Sequence, residues 1–579
     1  MDRHTLRSRL VAGLGVASLA TAPLMAATAP AGAAAPTPAP PPTPATPAPT
    51  PSPTGPVPAP APTTTPAPPP AKAPITWRRC GSMQCGALDV PLDHADPRKG
   101  TITLAISRRP ADDQKRKLGV LFVNPGGPGG SSVTAVPMFA QILGRDVRAR
   151  FDLVGVDPRG VGGSDLAICE GVKGETMPTT DVMFPWRAQQ APQFLAANEF
   201  LRHLCRTSKP RILPHMTTAE VARDMDLVRA ALGQKKLNYY GVSYGSYLGA
   251  TYANLYPRNV RTMVIDGVLD PVAWATGRGN EARSIPVTTR LRSDIGAQES
   301  LMSAIAECEA VGPTACREHD TIRDDWAAVS GRMRDKVVTV TPGDEGTELT
   351  YDLLIAMTLG SLYDPEAIPD LLALVHEFRV AADDPAAKKT KPAASLTRAY
   401  AKVVERDRRN RKERIGYDPP TPEPPEEEAP PTWSPMFEGV VCGETRNPTD
   451  PAAWIRAGAM ADRRAPGFGP LWTWASSVCP GWPAKGARAY TGPFTARPAG
   501  GLMVMTTAHD PATPFSGARA MHAMSPGSRL VTVPGWGHAT LDVSGCASKT
   551  RNDYLLSGRL PATDRICRPD HPLFTDLGR

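Results

Sequence analysis

Hydrophobic positions along this chain follow two patterns. Between residues 75 and 111, short segments such as TITLAIS alternate apolar and polar residues and are bounded by turn formers, which is typical of antiparallel strands. Further on, three segments contain apolar runs without alternation, which favour parallel strands covered on both faces: GVLFVNPGGPGGSS (119–132), FDLVGVDPRGVGGSD (151–165) and VRTMVIDGVLD (260–270). The pattern predicts a mixed sheet that is mostly parallel.

Helical periodicity separates these strands. TTAEVARDMDLVRAAL (217–232) predicts an amphipathic helix with Thr217 or Thr218 as N-cap and Gly233 as its stop. Most of 295–410 also has a helical pattern, and strand patterns return only at 501–510 and 529–542. We therefore expect an α/β core interrupted by a helical insertion that lies over the carboxyl ends of the strands.

The first 74 residues have no such periodicity. Residues 1–35 combine a basic start, an apolar run and small residues near 31–33, which predicts a secretory signal peptide. Residues 36–74 are almost entirely Pro, Ala and Thr and indicate a disordered tether, with cell-wall association left open. We see no later segment long and apolar enough to span a membrane, so we expect an exported protein.

The remaining chain divides by pattern into a first core part at 75–270, a mostly helical cap at 271–490 and a C-terminal core part at 491–579. Within the cap, RDRRNRKER (406–414) and DPPTPEPPEEEAPP (418–431) carry opposite charges, which favours a solvated, mobile excursion over a docking segment. The formal net charge of +8 arises from 65 basic and 57 acidic residues that are scattered, which argues against nucleic-acid binding.

Ten cysteines in an exported chain favour disulfides over metal sites. Spacing suggests short loops closed by Cys80/Cys85 and Cys308/Cys316. The longer pairs would be Cys442/Cys479, Cys546/Cys567 and Cys169/Cys205, although spacing leaves other connectivities open. We see no His/Cys cluster with zinc spacing and expect neither a metal nor a cofactor.

The segment LNYYGVSYGSYLG (237–249) contains the pattern G-x-S-x-G between a strand and a helix. In that context the serine, Ser243, sits on a strained turn at a helix N-terminus, where a nucleophile is exposed and negative charge is favoured. The glycine-rich loop of 119–132 follows a neighbouring strand and can present a backbone N–H that forms an oxyanion hole with the N–H of Tyr244.

An activated serine needs a base and an acid. Asp510 comes after the strand GLMVMTTA (501–508), and His538 comes after the strand RLVTV (529–533) in the loop PGWGHAT. The order Ser, Asp, His is that of an α/β-hydrolase triad. Asp266 is the alternative acid, whereas we expect no catalytic role for His509 and a structural role for His522.

These segments, together with IDGVLDP and AHDPATPFSGA, resemble the secreted bacterial tripeptidyl aminopeptidases, which belong to the prolyl-aminopeptidase group of α/β-hydrolases and carry a characteristic C-terminal segment. The resemblance covers roughly 75–275 and 435–579. It implies the α/β-hydrolase fold, with Ser243 as nucleophile, Asp510 as orienting acid and His538 as base. It also implies that Gly127 and Tyr244 donate the oxyanion N–H groups.

The resemblance further implies cleavage of peptides or proteins from a free N-terminus, usually with release of tripeptides. An aminopeptidase must bind the substrate ammonium group with a carboxylate, and Glu438 and Glu444 around VVCGET are the candidates, with ordinary surface carboxylates as the alternative. Fold and triad do not fix the acyl substrate, so a secreted esterase remains the alternative function. A third hypothesis is a catalytically silent cell-wall binding protein.

Overall fold

The computed structural model describes residues 75–340, 348–383, 394–410 and 429–575. The predicted signal peptide and tether lie outside these residues, as does most of the charged excursion beyond residue 410. No helix among the described residues has the length and apolar character needed to cross a bilayer.

A ten-stranded sheet organises the described chain, in the order β1-β2-β3-β5-β4-β7-β8-β12-β13-β14. The first three strands and β5 pair antiparallel to one another in turn, and every pair from β5 to β14 is parallel. The mixed, mostly parallel sheet predicted from the apolar runs is thus confirmed. Its strands are β1 Arg78–Cys80, β2 Met83–Pro91, β3 Thr101–Arg109, β4 Gly119–Asn124, β5 Phe151–Val156, β7 Leu237–Val242, β8 Val260–Asp266, β12 Met503–His509, β13 Arg529–Trp536 and β14 Arg565–Ile566.

Two two-stranded sheets lie outside it, β6 (Cys169–Glu170) with β11 (Thr432–Trp433), and β9 (Val338–Thr339) with β10 (Glu348–Leu349). The α-helices of the core are α1 Ser132–Ile142, α2 Gly144–Arg150, α3 Ala191–Ser208, α4 Thr218–Ala231, α5 Tyr244–Leu255, α16 Phe515–Met524 and α17 Gly545–Ser557. Between β8 and β12 come α6 Pro271–Ala275, α7 Val287–Arg290, α8 Ser293–Val311, α9 Ile322–Met333, α10 Tyr351–Leu362, α11 Ile368–Asp383, α12 Ala394–Asn410, α13 Glu438–Glu444, α14 Ala452–Arg464 and α15 Phe468–Trp474.

The central strands β4, β5 and β7 are buried along their whole length. Helices α4 and α5 bury their apolar residues in one hydrophobic cluster, and α1 and α17 contribute to another. Apolar side chains enter these clusters from both faces of the sheet, which explains why the strand sequences do not alternate.

The helices between β8 and β12 have a hydrophobic cluster of their own, centred on α8, α10 and α11. Phe184 and Ala191, which precede α4 in sequence, also pack in this cluster. Conversely, Val478, Ala484 and Phe494 follow α15 but pack in the cluster of α4 and α5. The cap cluster therefore includes a segment that precedes the insertion, and the core cluster includes the segment that leads from the insertion back to β12.

All five disulfides suggested by spacing are formed. They join Cys80 to Cys85, Cys169 to Cys205, Cys308 to Cys316, Cys442 to Cys479, and Cys546 to Cys567. The fourth ties α13 to the segment that returns from the cap to the core.

Candidate active site

Ser243 occupies the one-residue turn between β7 and α5. Its backbone has φ 58° and ψ −124°, a conformation that non-glycine residues adopt only when the surrounding structure enforces it. A Cβ on Gly241 would lie 2.4 Å from the Gly245 carbonyl oxygen, and one on Gly245 would lie 2.8 Å from Asn124 Oδ1. Both glycines of the motif are therefore required by close packing around the turn.

Asp510 and His538 meet beyond the carboxyl ends of β12 and β13. His538 Nδ1 lies 2.9 Å from Asp510 Oδ1 and 3.1 Å from its Oδ2. Four other groups donate to the same carboxylate, at 2.8 to 2.9 Å: the backbone N–H groups of Ala512, Thr513 and Ala539, and the hydroxyl of Thr513. The acid is thus held in one orientation toward the imidazole.

Charge and burial compete in this pair. Burial acts to raise the pKa of Asp510, but the charge of His538 and the hydrogen bonds outweigh it, and the pKa lies below its usual value. Burial likewise acts to lower the pKa of His538, but attraction to the Asp510 carboxylate and the hydrogen bond to it raise that pKa above its usual value. The pair therefore favours an imidazolium beside a carboxylate, the charge state that a general base reaches after accepting a proton.

Asp266, the alternative acid, is fully buried at the end of β8. Its oxygens accept from the Thr540 N–H at 2.8 Å, the Thr540 hydroxyl at 2.7 Å and the Tyr240 hydroxyl at 3.0 Å. It anchors the loop two residues after His538, and it is Asp510 that contacts the imidazole. Of the other two histidines, His509 stacks on Trp536 and His522 bonds to Ser528.

The glycine-rich loop after β4 passes directly over the turn that contains Ser243. A Cβ on Gly126 would lie 2.5 Å from the Val242 carbonyl oxygen, 2.8 Å from Ser243 Cβ and 2.9 Å from the Tyr244 nitrogen. The Gly126 N–H donates to Asn124 Oδ1 at 3.0 Å, so this N–H is not available to an oxyanion. The structure brings the loop of Gly127 beside Ser243 and Tyr244, as an oxyanion hole requires.

Glu444, at the end of α13, is buried and accepts three hydrogen bonds. They come from the Thr218 N–H at 2.7 Å, the Thr218 hydroxyl at 2.8 Å and Trp274 Nε1 at 2.7 Å. Burial raises the pKa of Glu444 to about 7, although these bonds act to lower it. The carboxylate caps the N-terminus of α4, a task that the sequence assigned to Thr217 or Thr218; the Thr217 hydroxyl instead donates to the Ala487 carbonyl at 3.0 Å.

Glu438, at the start of α13, is half-buried, and its surroundings differ from those of Glu444. Burial raises the pKa of Glu438 to about 7, and the only group opposing that rise is its own backbone N–H. Among the described residues, no side chain pairs with this carboxylate. A Cβ on Gly129 would lie 3.3 Å from Met436 Cβ and 3.4 Å from the Phe437 nitrogen, so α13 begins against the glycine-rich loop.

A separate buried cluster has the composition of a metal site. Ligand-type atoms of Asp93, His215 and Glu220 lie within 4.8 Å of one another. Arg488 contacts both carboxylates, Lys99 pairs with Asp93 at 2.8 Å, and Arg223 pairs with Glu220 at 2.9 Å. Because a divalent cation there would face these positive groups, the cluster is better described as an ion-pair network.

Sequence reasoning missed Tyr363, which packs against His538. The Tyr363 carbonyl accepts the His538 N–H at 3.0 Å, and the two rings have centroids 4.8 Å apart. Tyr-Asp-Pro after an apolar run indicates only the end of a helix, so no local pattern could have connected this residue with His538.

Comparison with known proteins places this site in a class. Residues 119–286 match the family model described as "alpha/beta hydrolase fold", and residues 465–567 match the one described as "TAP-like protein". The chain is therefore an α/β-hydrolase with a TAP-like C-terminal segment, and the predicted fold class is confirmed.

Three relatives narrow the class. The chain is 30% identical over 522 residues to "Tripeptidyl aminopeptidase" of Streptomyces lividans, covering 86% of this chain and 87% of that protein. It is 34% identical over 256 residues to "Serine protease Hip1" of Mycobacterium tuberculosis (41% of this chain, 45% of the relative), and 30% identical over 506 residues to "Carboxylesterase B" of M. tuberculosis (84% and 86%). This chain belongs to the tripeptidyl aminopeptidase family of serine hydrolases.

Proposed function

We propose that this chain is a secreted serine exopeptidase that removes short peptides, tripeptides in particular, from free N-termini through an acyl-enzyme on Ser243. The observation that carries the proposal is the half-buried carboxylate of Glu438, which no side chain of the described residues pairs with, on a helix that packs against the glycine-rich loop. Family membership supports it, because relatives that cover most of the chain are named for this activity.

In the proposed mechanism His538 removes the proton from Ser243 as its Oγ attacks the scissile carbonyl carbon. Asp510 fixes the imidazole through Nδ1, so that the other ring nitrogen, Nε2, is the one that accepts the proton. The backbone N–H groups of Gly127 and Tyr244 stabilise the oxyanion; each such donor is typically worth about 3–4 kcal/mol in the transition state. His538 then protonates the leaving amine, and water activated by the same base releases the acyl peptide.

Glu438 would bind the substrate ammonium group. A carboxylate with a raised pKa and no protein cation gains most from a positively charged ligand, which replaces the lost hydration with a charge-assisted hydrogen bond. We assign the ammonium group to Glu438 rather than to Glu444, because the three donors around Glu444 already use its oxygens.

Export is the proposed location of this activity. Five disulfides within the described residues suit an oxidising compartment, and the predicted signal peptide at 1–35 would direct the chain there. Attachment to the cell wall through the tether at 36–74 would keep the enzyme near its peptide substrates.

Hydrolysis of a tripeptidyl arylamide by wild-type protein and by Ser243→Ala tests the central step. We expect turnover to fall by at least about a thousandfold while thermal unfolding is unchanged, because the hydroxyl alone is lost. Undiminished turnover in Ser243→Ala would disprove the acyl-enzyme mechanism. Labelling of the wild-type chain, but not the variant, by a fluorophosphonate would also exclude a catalytically silent binding protein.

An esterase is the second candidate, because a relative named "Carboxylesterase B" matches 84% of this chain at 30% identity. Matched substrates separate the two activities: a free-amine tripeptidyl arylamide, its N-acetylated form and a short acyl ester. An exopeptidase cleaves the free-amine substrate and loses most of its rate on acetylation. An esterase that does not use the amine prefers the ester and is indifferent to acetylation.

A further inference from the structure

Two segments of the cap make direct contact with the loops that carry the acid and the base. At the start of α8, Ser293 Oγ donates to the Ala512 carbonyl at 2.5 Å, and a Cβ on Gly296 would lie 2.7 Å from the Asp510 carbonyl oxygen. After α10, Tyr363 and Pro365 lie against Gly537 and His538. The cap is therefore joined to the catalytic loops by close packing rather than suspended above them.

The contact at the base is close enough to constrain the sequence. Gly537 has φ +101°, and a Cβ there would lie 2.8 Å from Pro365 Cδ and 3.3 Å from the Tyr363 carbonyl oxygen. The next residue, His538, donates its backbone N–H to that carbonyl. No side chain larger than hydrogen fits between the two segments, so the cap backbone fixes the position of the His538 loop.

The Tyr363 ring limits the motion of the imidazole itself. Its centroid lies 4.8 Å from that of His538, with the two planes inclined at 58°. Asp510 holds one edge of the imidazole through Nδ1, but a hydrogen bond at one edge still permits rotation of the ring about that bond. A second aromatic ring packed against the imidazole at this distance restricts this rotation.

The phenol hydroxyl of Tyr363 takes no part in these contacts. Within the described ranges, no hydrogen bond joins it to another residue, whereas the ring and the backbone carbonyl both contact His538. The contact with the base is thus made by the ring and the main chain.

We propose that Tyr363 is a positioning residue, through which the cap sets the orientation of the His538 imidazole toward Ser243. The proposal rests on the proposed function only in requiring that His538 activates Ser243; it does not depend on which acyl substrate is cleaved. It gives the cap a direct role in the chemical step.

The test compares three variants by kcat and KM on a tripeptidyl arylamide and by the rate of fluorophosphonate labelling. Tyr363→Leu keeps apolar bulk but removes the flat ring, and we expect kcat and labelling to fall about 10- to 100-fold with little change in KM, as expected for a misplaced catalytic group. Tyr363→Phe keeps the ring and should recover most of both rates. Tyr400→Leu removes another buried cap tyrosine, on α12, and should leave both rates unchanged.

Each contrary result overturns the proposal. An equal loss in Tyr363→Phe would assign the effect to the hydroxyl, and a change confined to KM would make Tyr363 a substrate contact. An equal loss in Tyr400→Leu would indicate general weakening of the cap.

If Tyr363→Leu does not fold, Pro365→Ala is the second variant. It loosens the same junction and should lower the labelling rate; an unchanged labelling rate would contradict the proposal.

The labelling measurement separates this proposal from the proposed substrate. A wild-type chain that reacts with the probe but does not cleave peptides refutes the exopeptidase assignment and still tests Tyr363. A wild-type chain that does not react with the probe refutes both.

Discussion

Two regions of the molecule bury a carboxylate and give it opposite surroundings. At the carboxyl edge of the sheet, Asp510 accepts hydrogen bonds from three backbone N–H groups, a hydroxyl and an imidazole, and its pKa is lowered. On α13, Glu438 has no side-chain partner within the described residues, and burial raises its pKa to about 7. Burial acts to raise both pKa values, but at Asp510 the charge of His538 and the hydrogen-bond donors outweigh it.

The supply of hydrogen-bond donors distinguishes a carboxylate that positions a neighbouring residue from one that can bind a ligand. A carboxylate whose oxygens are already occupied is fixed in place and acts on its neighbour, as Asp510 does on His538. A carboxylate left without partners in a half-buried site costs the fold free energy, which a cationic ligand can recover. The four experiments below test this contrast, beginning with the largest expected effect.

Asp510→Asn should cause the largest loss. The amide cannot accept from all the donors that face Asp510, and it stabilises neither the correct tautomer of His538 nor the imidazolium, so we expect kcat to fall about 10⁴-fold. Turnover of a tripeptidyl arylamide, with circular dichroism as a check on folding, measures this. Asp266→Asn is the matched control: a loss as large as that of Asp510→Asn would make Asp266 the acid.

Glu438→Gln should impair binding of the free amine. Removing the charge but not the shape should lower kcat/KM for a free-amine peptide about 10- to 100-fold, the value of a charge-assisted hydrogen bond. The N-acetylated peptide serves as the internal control, because its weak hydrolysis should not change. Equal losses on both substrates would show that Glu438 does not recognise the amine.

The pH dependence of kcat/KM, compared between the wild type and Glu438→Gln, is a further test of whether Glu438 binds the amine. Glu438 must be ionised to bind an ammonium group, so kcat/KM should fall as pH decreases through about 7. His538 must be neutral to act as a base. Because its pKa is raised, protonation of His538 also lowers kcat/KM as pH decreases. We expect a limiting slope near two in log kcat/KM for the wild type and near one for Glu438→Gln; a slope of two in both would exclude Glu438.

Glu444→Gln should have the smallest effect on activity and a clear one on stability. Gln would direct an NH₂ group at one of the donors of Thr218 or Trp274, and an unsatisfied buried donor costs about 1–3 kcal/mol. Denaturant unfolding at fixed pH measures the free energy. A stable variant whose KM rises for free-amine peptides only would assign the ammonium group to Glu444 instead.

Sequence predicted the parts of this molecule that local chemistry dictates. G-x-S-x-G needs its two glycines because a Cβ at either position would lie within 3 Å of neighbouring backbone atoms. Ser243, Asp510 and His538 follow β7, β12 and β13, which are parallel strands of one sheet, so all three residues lie at its carboxyl edge. The parallel sheet followed from apolar runs without alternation. The five disulfides agree with spacing because each cysteine pairs with one no more than 37 residues away.

Contacts between distant segments could not be predicted in this way. Glu444 and Thr218 are 226 residues apart, and nothing in either local sequence indicates that one caps the helix of the other. Tyr363 meets His538 across a similar interval, and its local pattern indicates only a helix end. Both contacts depend on how the cap packs on the core, which hydrophobic periodicity leaves open.

The neighbouring strands β8 and β12 illustrate how such an enzyme can acquire new substrates. Val264 pairs with Met503, yet roughly 240 residues of chain connect the two strands. Because the entropic cost of closing a loop grows only with the logarithm of its length, this excursion costs about 3 kcal/mol more than a connection of about 12 residues. An ancestral hydrolase could therefore lengthen, exchange or recombine the material between these strands at little thermodynamic penalty, provided that each new cap again supported the loop of His538.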